Sequence, residues 1–102
     1  MARFVLIGRD GARGPELRPR HREAHLRNLR PLAEAGRVVH AGPLLDDTGA
    51  PCGSVVVFDA PDLASARRFA ASDPYVVEGV FGSWEVLATR QVFPEPAPEP
   101  SG

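Results

Sequence analysis

Histidine and cysteine are the side chains best suited to move a proton, ligate a metal or form a covalent bond near neutral pH, and the chain has three of the first and one of the second. His25 stands on the apolar stripe of an expected helix, one turn before Leu29, with Arg22 at i−3 and Arg18 at i−7 on much the same side. A titratable group is thus aimed at the body of the fold. A cation three residues before an imidazole could hold a substrate carboxylate while the imidazole moves a proton. The plainer alternative is a core histidine satisfied by backbone, beside a solvated Arg22. Asp73 precedes Pro74, which pushes it into the extended region and places it as an N-cap with proline at the first helical position. Capping is its default role, but its remaining lone pairs could accept a histidine Nδ1–H and fix the tautomer of that ring. Asp73→Asn is then expected to keep much of the cap and to cost at most about 1 kcal/mol.

Other combinations are weaker. His21 and His25 at i, i+4, with His40 elsewhere, suggest a three-histidine metal site, yet Arg20 and Arg22 flank His21 and repel a dication. The reading is no metal. Cys52 shows no helix start or neighbouring base that would lower its pKa, and a lone cysteine excludes an intrachain disulfide and a thiolate zinc site within one chain. A reducing compartment fits. The arginines at 18, 20, 22, 27 and 30 resemble a basic patch, but Glu23–Arg27 and Arg30–Glu34 are i, i+4 partners and no aromatic residues interleave to stack bases. Twelve basic residues, all arginine, against thirteen acidic ones give a net charge of −1, which favours neither nucleic acid nor an anionic membrane. No apolar run approaches the roughly 20 residues that span a bilayer. A soluble cytoplasmic protein is expected.

These residues need elements to position them. With 102 residues, 43% hydrophobic, the chain has room for one core and one domain, expected over residues 1–93. The stretch Pro94 to Gly102, rich in proline and glutamate, is expected to be a disordered tail. Arg3 to Arg9 reads as a strand apolar on both faces, and the following Asp10 to Pro19 as a break. Helical spacing of His25, Leu29 and Leu32 predicts a helix from about Arg20 to Ala35, with Pro31 predicting a kink or early end. Val38 to Gly42 and Ser54 to Asp59 read as strands joined by a loop, Pro43 to Gly53, that is long for a hairpin. Asp62 caps a second helix burying Leu63, Ala66, Phe69 and Ala70, and Phe81 to Arg90 forms a last strand around Trp84, Val86 and Leu87. The order β-α-β-β-α-β predicts an α+β, ferredoxin-like fold with an antiparallel sheet and both helices on one face. The other face is apolar enough in strands one and three to require cover, and self-association would supply it.

The stretches Arg22-Glu23-Ala24-His25-Leu26 with Leu29, Gly36-Arg37, Ala41-Gly42-Pro43, Gly53-Ser54, Ser72-Asp73-Pro74-Tyr75 and Gly79-Val80-Phe81 together resemble the YCII-related family of small α+β proteins. The resemblance runs over most of the chain and rests on the order of weak motifs rather than on any one. It implies a ferredoxin-like subunit that pairs sheet to sheet as a dimeric α/β barrel, similar to muconolactone isomerase. It also implies an active site at His25 and Asp73, with Arg22, Gly42, Ser54 and Tyr75 around the pocket. Pro31, His40 before Ala41-Gly42-Pro43, and the tail depart from the family pattern; His40 would add a polar group to the pocket.

The expected function is a small, cofactor-independent lyase- or isomerase-like enzyme that transfers a proton on a small carboxylate or enol, with His25 as base and then acid, Asp73 as its orienter and Arg22 as an anion clamp. No oxyanion-stabilising group is identifiable at this level. A non-catalytic module of the same fold that binds a small anion is the alternative, with a purely structural dimer behind it.

Overall fold

The computed structural model describes residues 1–96. It contains β1 (Ala2–Asp10), α1 (Gly14–Glu34), β2 (Val38–Leu45), β3 (Pro51–Ala60), α2 (Leu63–Ala71), α3 (Pro74–Val77) and β4 (Phe81–Thr89). The strands form one antiparallel sheet in the order β2-β3-β1-β4, the ferredoxin-like arrangement.

Strand alternation sends Phe4, Leu6, Val56, Phe58, Ala60 and Val86 to one side, where they pack against Leu29 of α1 and Ala66 and Ala70 of α2. A second cluster, Leu17, Tyr75, Val80 and Phe81, fastens the start of α1 to α3 and the start of β4. On the opposite side Val5 faces Val57 and Leu87, and Ile7 faces Val55 and Glu85. Those valines and Ile7 are half-buried by their neighbours alone and Leu87 is exposed, so one sheet face is apolar and carries no helix.

Three local expectations are revised. The break after β1 is short, and α1 begins at Gly14 rather than near Arg20, with Pro15 in its first turn. The helix then runs through both Pro19 and Pro31 to Glu34 without ending. Both prolines are exposed, so the carbonyls that lose an intrahelical partner face water, which lowers the cost of the interruption. The supposed long loop is a hairpin: β2 and β3 extend to Leu45 and Pro51. Between them Asp46 Oδ1 accepts from the Thr48 and Ala50 amides and the Thr48 hydroxyl, and Gly49 takes φ +86°. Pro43 lies within β2, tolerable because β2 is an edge strand.

The expected helix-surface ion pairs are also different. Among the described residues Glu16 pairs with Arg13 and Arg20, while Glu23–Arg27 and Arg30–Glu34 do not close, as exposed pairs gain little from doing so. Trp84 is 38% exposed at the β4 edge, and Val86 alone of the three expected β4 residues is buried. Of the expected tail, Pro94 to Pro96 are exposed and residues 97–102 lie outside the described residues.

Candidate active site

The site is assembled where α1 passes α3. Asp73 caps α3, its Oδ1 accepting the Tyr75 amide at 2.8 Å. The same carboxylate receives His25 Nδ1 at 2.7 Å (Oδ1) and 2.9 Å (Oδ2), and the Asn28 amide nitrogen at 3.2 Å. Asp73 is 0% exposed, so its charge is carried entirely by these donors. The Tyr75 ring stacks on the His25 imidazole with centroids 4.0 Å apart and planes 3° from parallel, and Phe81 meets Tyr75 edge-on. His25 is therefore fixed in its plane by a carboxylate and across its face by a tyrosine. With Nδ1–H donated to Asp73, the neutral ring carries its lone pair on Nε2. No buried side-chain nitrogen or oxygen among the described residues lacks a partner, which places Nε2 within reach of solvent.

A second buried pair adjoins the first. β1 ends in a register shift at Arg9/Asp10, and Asp10 holds Arg18 of α1 in a two-point pair, Nε–Oδ2 at 2.5 Å and Nη2–Oδ1 at 2.8 Å. Arg18 Nη2 also donates to Ser54 Oγ at 3.1 Å, and the guanidinium carbon lies 5.1 Å from the Tyr75 ring centroid. Burial works against the charge of Arg18, but the hydrogen bonds and charge of Asp10 outweigh it and the guanidinium is held more firmly protonated than usual. Burial raises the Tyr75 phenol above its ordinary value, with Arg18 and Arg22 opposing.

Gly14 belongs to this construction. A Cβ on it would sit 2.6 Å from Asp10 Oδ2, so the first turn of α1 can approach the carboxylate only because the residue is glycine. Gly14→Ala is expected to lower stability by about 1–3 kcal/mol through this overlap, read as a reduced urea midpoint at unchanged slope.

The two pairs border a cavity of about 590 Å³ between α1 and the β2–β3 hairpin, lined by Arg18, Arg22, His25, Gly42, Ser54 and Tyr75 together with proline, alanine and leucine side chains. The structure brings His25 into contact with Asp73 and puts Arg22, Gly42, Ser54 and Tyr75 on the same cavity. His40 is not brought there. It pairs with Val57 in the sheet, and a shift in register between Val38 and His40 turns it, exposed, to the helix-free face. His21, His25 and His40 do not converge: no three potential metal ligands cluster among the described residues. Arg22 lines the cavity as an exposed residue. Spacing put Arg18 on the His25 side of the helix but gave it no role in the site, and it gave Asp10 none. The i−7 spacing of Arg18 from His25 was the available signal; Asp10 sat in a stretch taken to be a break.

The model of the YCII-related domain matches residues 2–90. The chain belongs to the YCII-related family. This YCII-related protein is 35% identical over 96 residues to Protein YciI of Escherichia coli O6:H1, covering 88% of the chain and 98% of that relative. An uncharacterized Haemophilus influenzae protein is 33% identical over the same coverage. Among solved structures it resembles the 5-chloro-2-hydroxyhydroquinone dehydrochlorinase TftG of Burkholderia phenoliruptrix in complex with 2,5-dihydroxybenzoquinone. That match has a TM-score of 0.76 and 24% identity, over 86% of this chain and 93% of TftG. A NIPSNAP domain protein of Burkholderia xenovorans shares the fold more loosely, with a TM-score of 0.52 and 19% identity over 94% and 99% of the two chains. At these identities the solved structures speak to the ferredoxin-like fold.

Proposed function

We propose that this YCII-related protein is a small enzyme that transfers a proton on a carboxylate- or enol-bearing substrate, in a lyase- or isomerase-type reaction that calls for no redox cofactor. The observation that carries the proposal is the orientation of His25: Nδ1 is tied to a buried carboxylate while Nε2 is left for the cavity. His25 acts as general base and returns the proton as acid. Asp73 holds the ring and stabilises the imidazolium formed in between. A carboxylate whose other lone pairs are filled by Asn28 and the Tyr75 amide is an acceptor of fixed position, which is what an orienting group needs.

The fold neighbour TftG is a dehydrochlorinase that holds an enolic ring dione. Loss of HCl from a hydroxylated ring couples proton removal to departure of chloride, chemistry that a single base facing a mixed polar and apolar cavity can serve. The test is incubation in deuterium oxide with small 2-oxo acids, enols and hydroxylated rings, followed by NMR. Protein-dependent deuterium incorporation or conversion of at least one compound is expected. Saturable binding with neither would instead favour a non-catalytic anion-binding module.

The helix-free face is proposed to be covered by a second copy, sheet against sheet. Val5, Ile7, Val55, Val57 and Leu87 form a continuous apolar surface in register. Ile7→Glu, which puts a charge at the centre of that surface, is expected to turn a dimer of the native protein into a monomer by light scattering. A native protein that is already monomeric at micromolar concentration would contradict the pairing. No helix of the described residues is long and apolar enough to cross a membrane.

A further inference from the structure

The dyad accounts for where the proton goes and leaves open where the negative charge goes. When a base takes a proton from carbon beside a carbonyl, the C–H electron pair moves toward the carbonyl and the oxygen becomes an enolate. A fixed donor at that oxygen is usually worth more than any other single contribution. Arg22 is poorly suited to this: it is exposed, and an exposed guanidinium must be ordered by the substrate itself. Arg18 is already ordered. Its Nε and Nη2 are occupied by Asp10, Nη2 again by Ser54, and its guanidinium lies by Tyr75, the ring that also stacks on His25. Nη1 makes no hydrogen bond with the protein, yet no buried donor among the described residues lacks a partner, so its N–H groups are accessible on a side chain that lines the cavity.

We propose that Arg18 is the oxyanion-stabilising group of the site, receiving on Nη1 the enolate oxygen that forms as His25 Nε2 takes the proton. This rests on the proton-transfer reading of His25 and adds the substrate class: a compound with a carbonyl or enol oxygen beside an acidic C–H. With neutral His25, Arg18 and Arg22 balance Asp10 and Asp73, so the array gains by directed donors rather than by excess charge. It suits a small enolate, whose charge is spread over its oxygens, over a compact polyanion such as a phosphate ester. Atoms and electrons balance without a co-reactant: the proton resides on His25, the charge on the oxygen facing Arg18, and both return on reprotonation.

The probe is 2,5-dihydroxybenzoquinone, an enolic dione whose ring oxygens mimic the enolate, titrated by its own absorption into the native protein and its variants. Arg18→Lys keeps the charge but cannot fill Asp10 and Ser54 and still present a donor, and should weaken binding by about tenfold or more. Arg18→Met strands the Asp10 carboxylate and endangers folding, so it is paired with Asp10→Asn, and the double variant should lose at least as much. His25→Asn, which leaves Arg18 and its partners in place, should bind the dione more tightly than either Arg18 variant does. Folded Arg18 variants that bind as the native protein does, or a native protein that does not take up the dione, would overturn the assignment. Lost binding in Arg18→Lys together with undiminished deuterium exchange in His25→Asn would uphold Arg18 as the oxygen's partner and refute His25 as the base.

Discussion

His25→Asn is expected to lower turnover by about a thousandfold or more while the protein remains folded. The asparagine amide can still donate to Asp73, so the buried carboxylate keeps a partner. It cannot take a proton at neutral pH, and the Nε2 position facing the cavity is lost. The stacking partner of Tyr75 shrinks as well, which should cost about 1 kcal/mol and leave a cooperative unfolding transition. Thermal unfolding by circular dichroism and a turnover assay on the same preparation separate the two effects. A folded variant with native turnover would reduce His25 to a wall of the cavity.

Asp73→Ala should be the most damaging change to stability among the residues of the site. Asp73 is completely buried and accepts from the Tyr75 amide, His25 and Asn28, so truncation removes the α3 cap and strands several donors at once. About 3 kcal/mol is expected, since each stranded donor and the lost cap cost roughly 1 kcal/mol. For a domain of this size that lowers Tm by on the order of 15 °C. The geometry also revises the cost of Asp73→Asn upward from the 1 kcal/mol or less expected from capping alone, to about 1–2 kcal/mol. The amide oxygen has two lone pairs and can keep the Tyr75 N–H and the His25 Nδ1–H, which share Oδ1 in the native site. The NH2 that replaces the second oxygen no longer accepts from Asn28, and the charge that stabilises the imidazolium is lost. Asp73→Asn should therefore fold, unlike a severely truncated site, and still be nearly inactive. Native-like stability in Asp73→Ala would mean that this carboxylate is not the hub the hydrogen bonds describe.

The ferredoxin-like order was legible from short apolar runs in β1 and β3, rich in β-branched residues, and from the His25, Leu29, Leu32 spacing in α1. The Asp73 cap was legible because Asp-Pro constrains the backbone whatever surrounds it. What spacing could not supply was the join between distant segments. Nothing local says that Asp73 reaches His25, forty-eight positions away; the family resemblance suggested it and the α1–α3 packing provides it. Proline misled twice. Pro19 and the glycine-rich stretch before it hid the first turns of α1, and with them the pairing of Arg18 with Asp10; Pro43 and Pro51 made a hairpin look like a loop. In each case tertiary packing or solvent exposure absorbed a local penalty that sequence reasoning had taken as decisive. His40 was misplaced by a single register shift, which reverses the face of a strand residue and leaves no mark in the sequence.

Asp73 is expected to hold His25 with an unprotonated Nε2 toward the cavity. Long-range proton–nitrogen NMR of the protein labelled at histidine tests it directly, because the two ring nitrogens of a neutral imidazole differ by whether they bear hydrogen. The expected spectrum of neutral His25 has Nδ1 protonated and Nε2 bare, with that preference weakened in Asp73→Asn. A native His25 protonated at Nε2, or exchanging freely between the two forms, would contradict it.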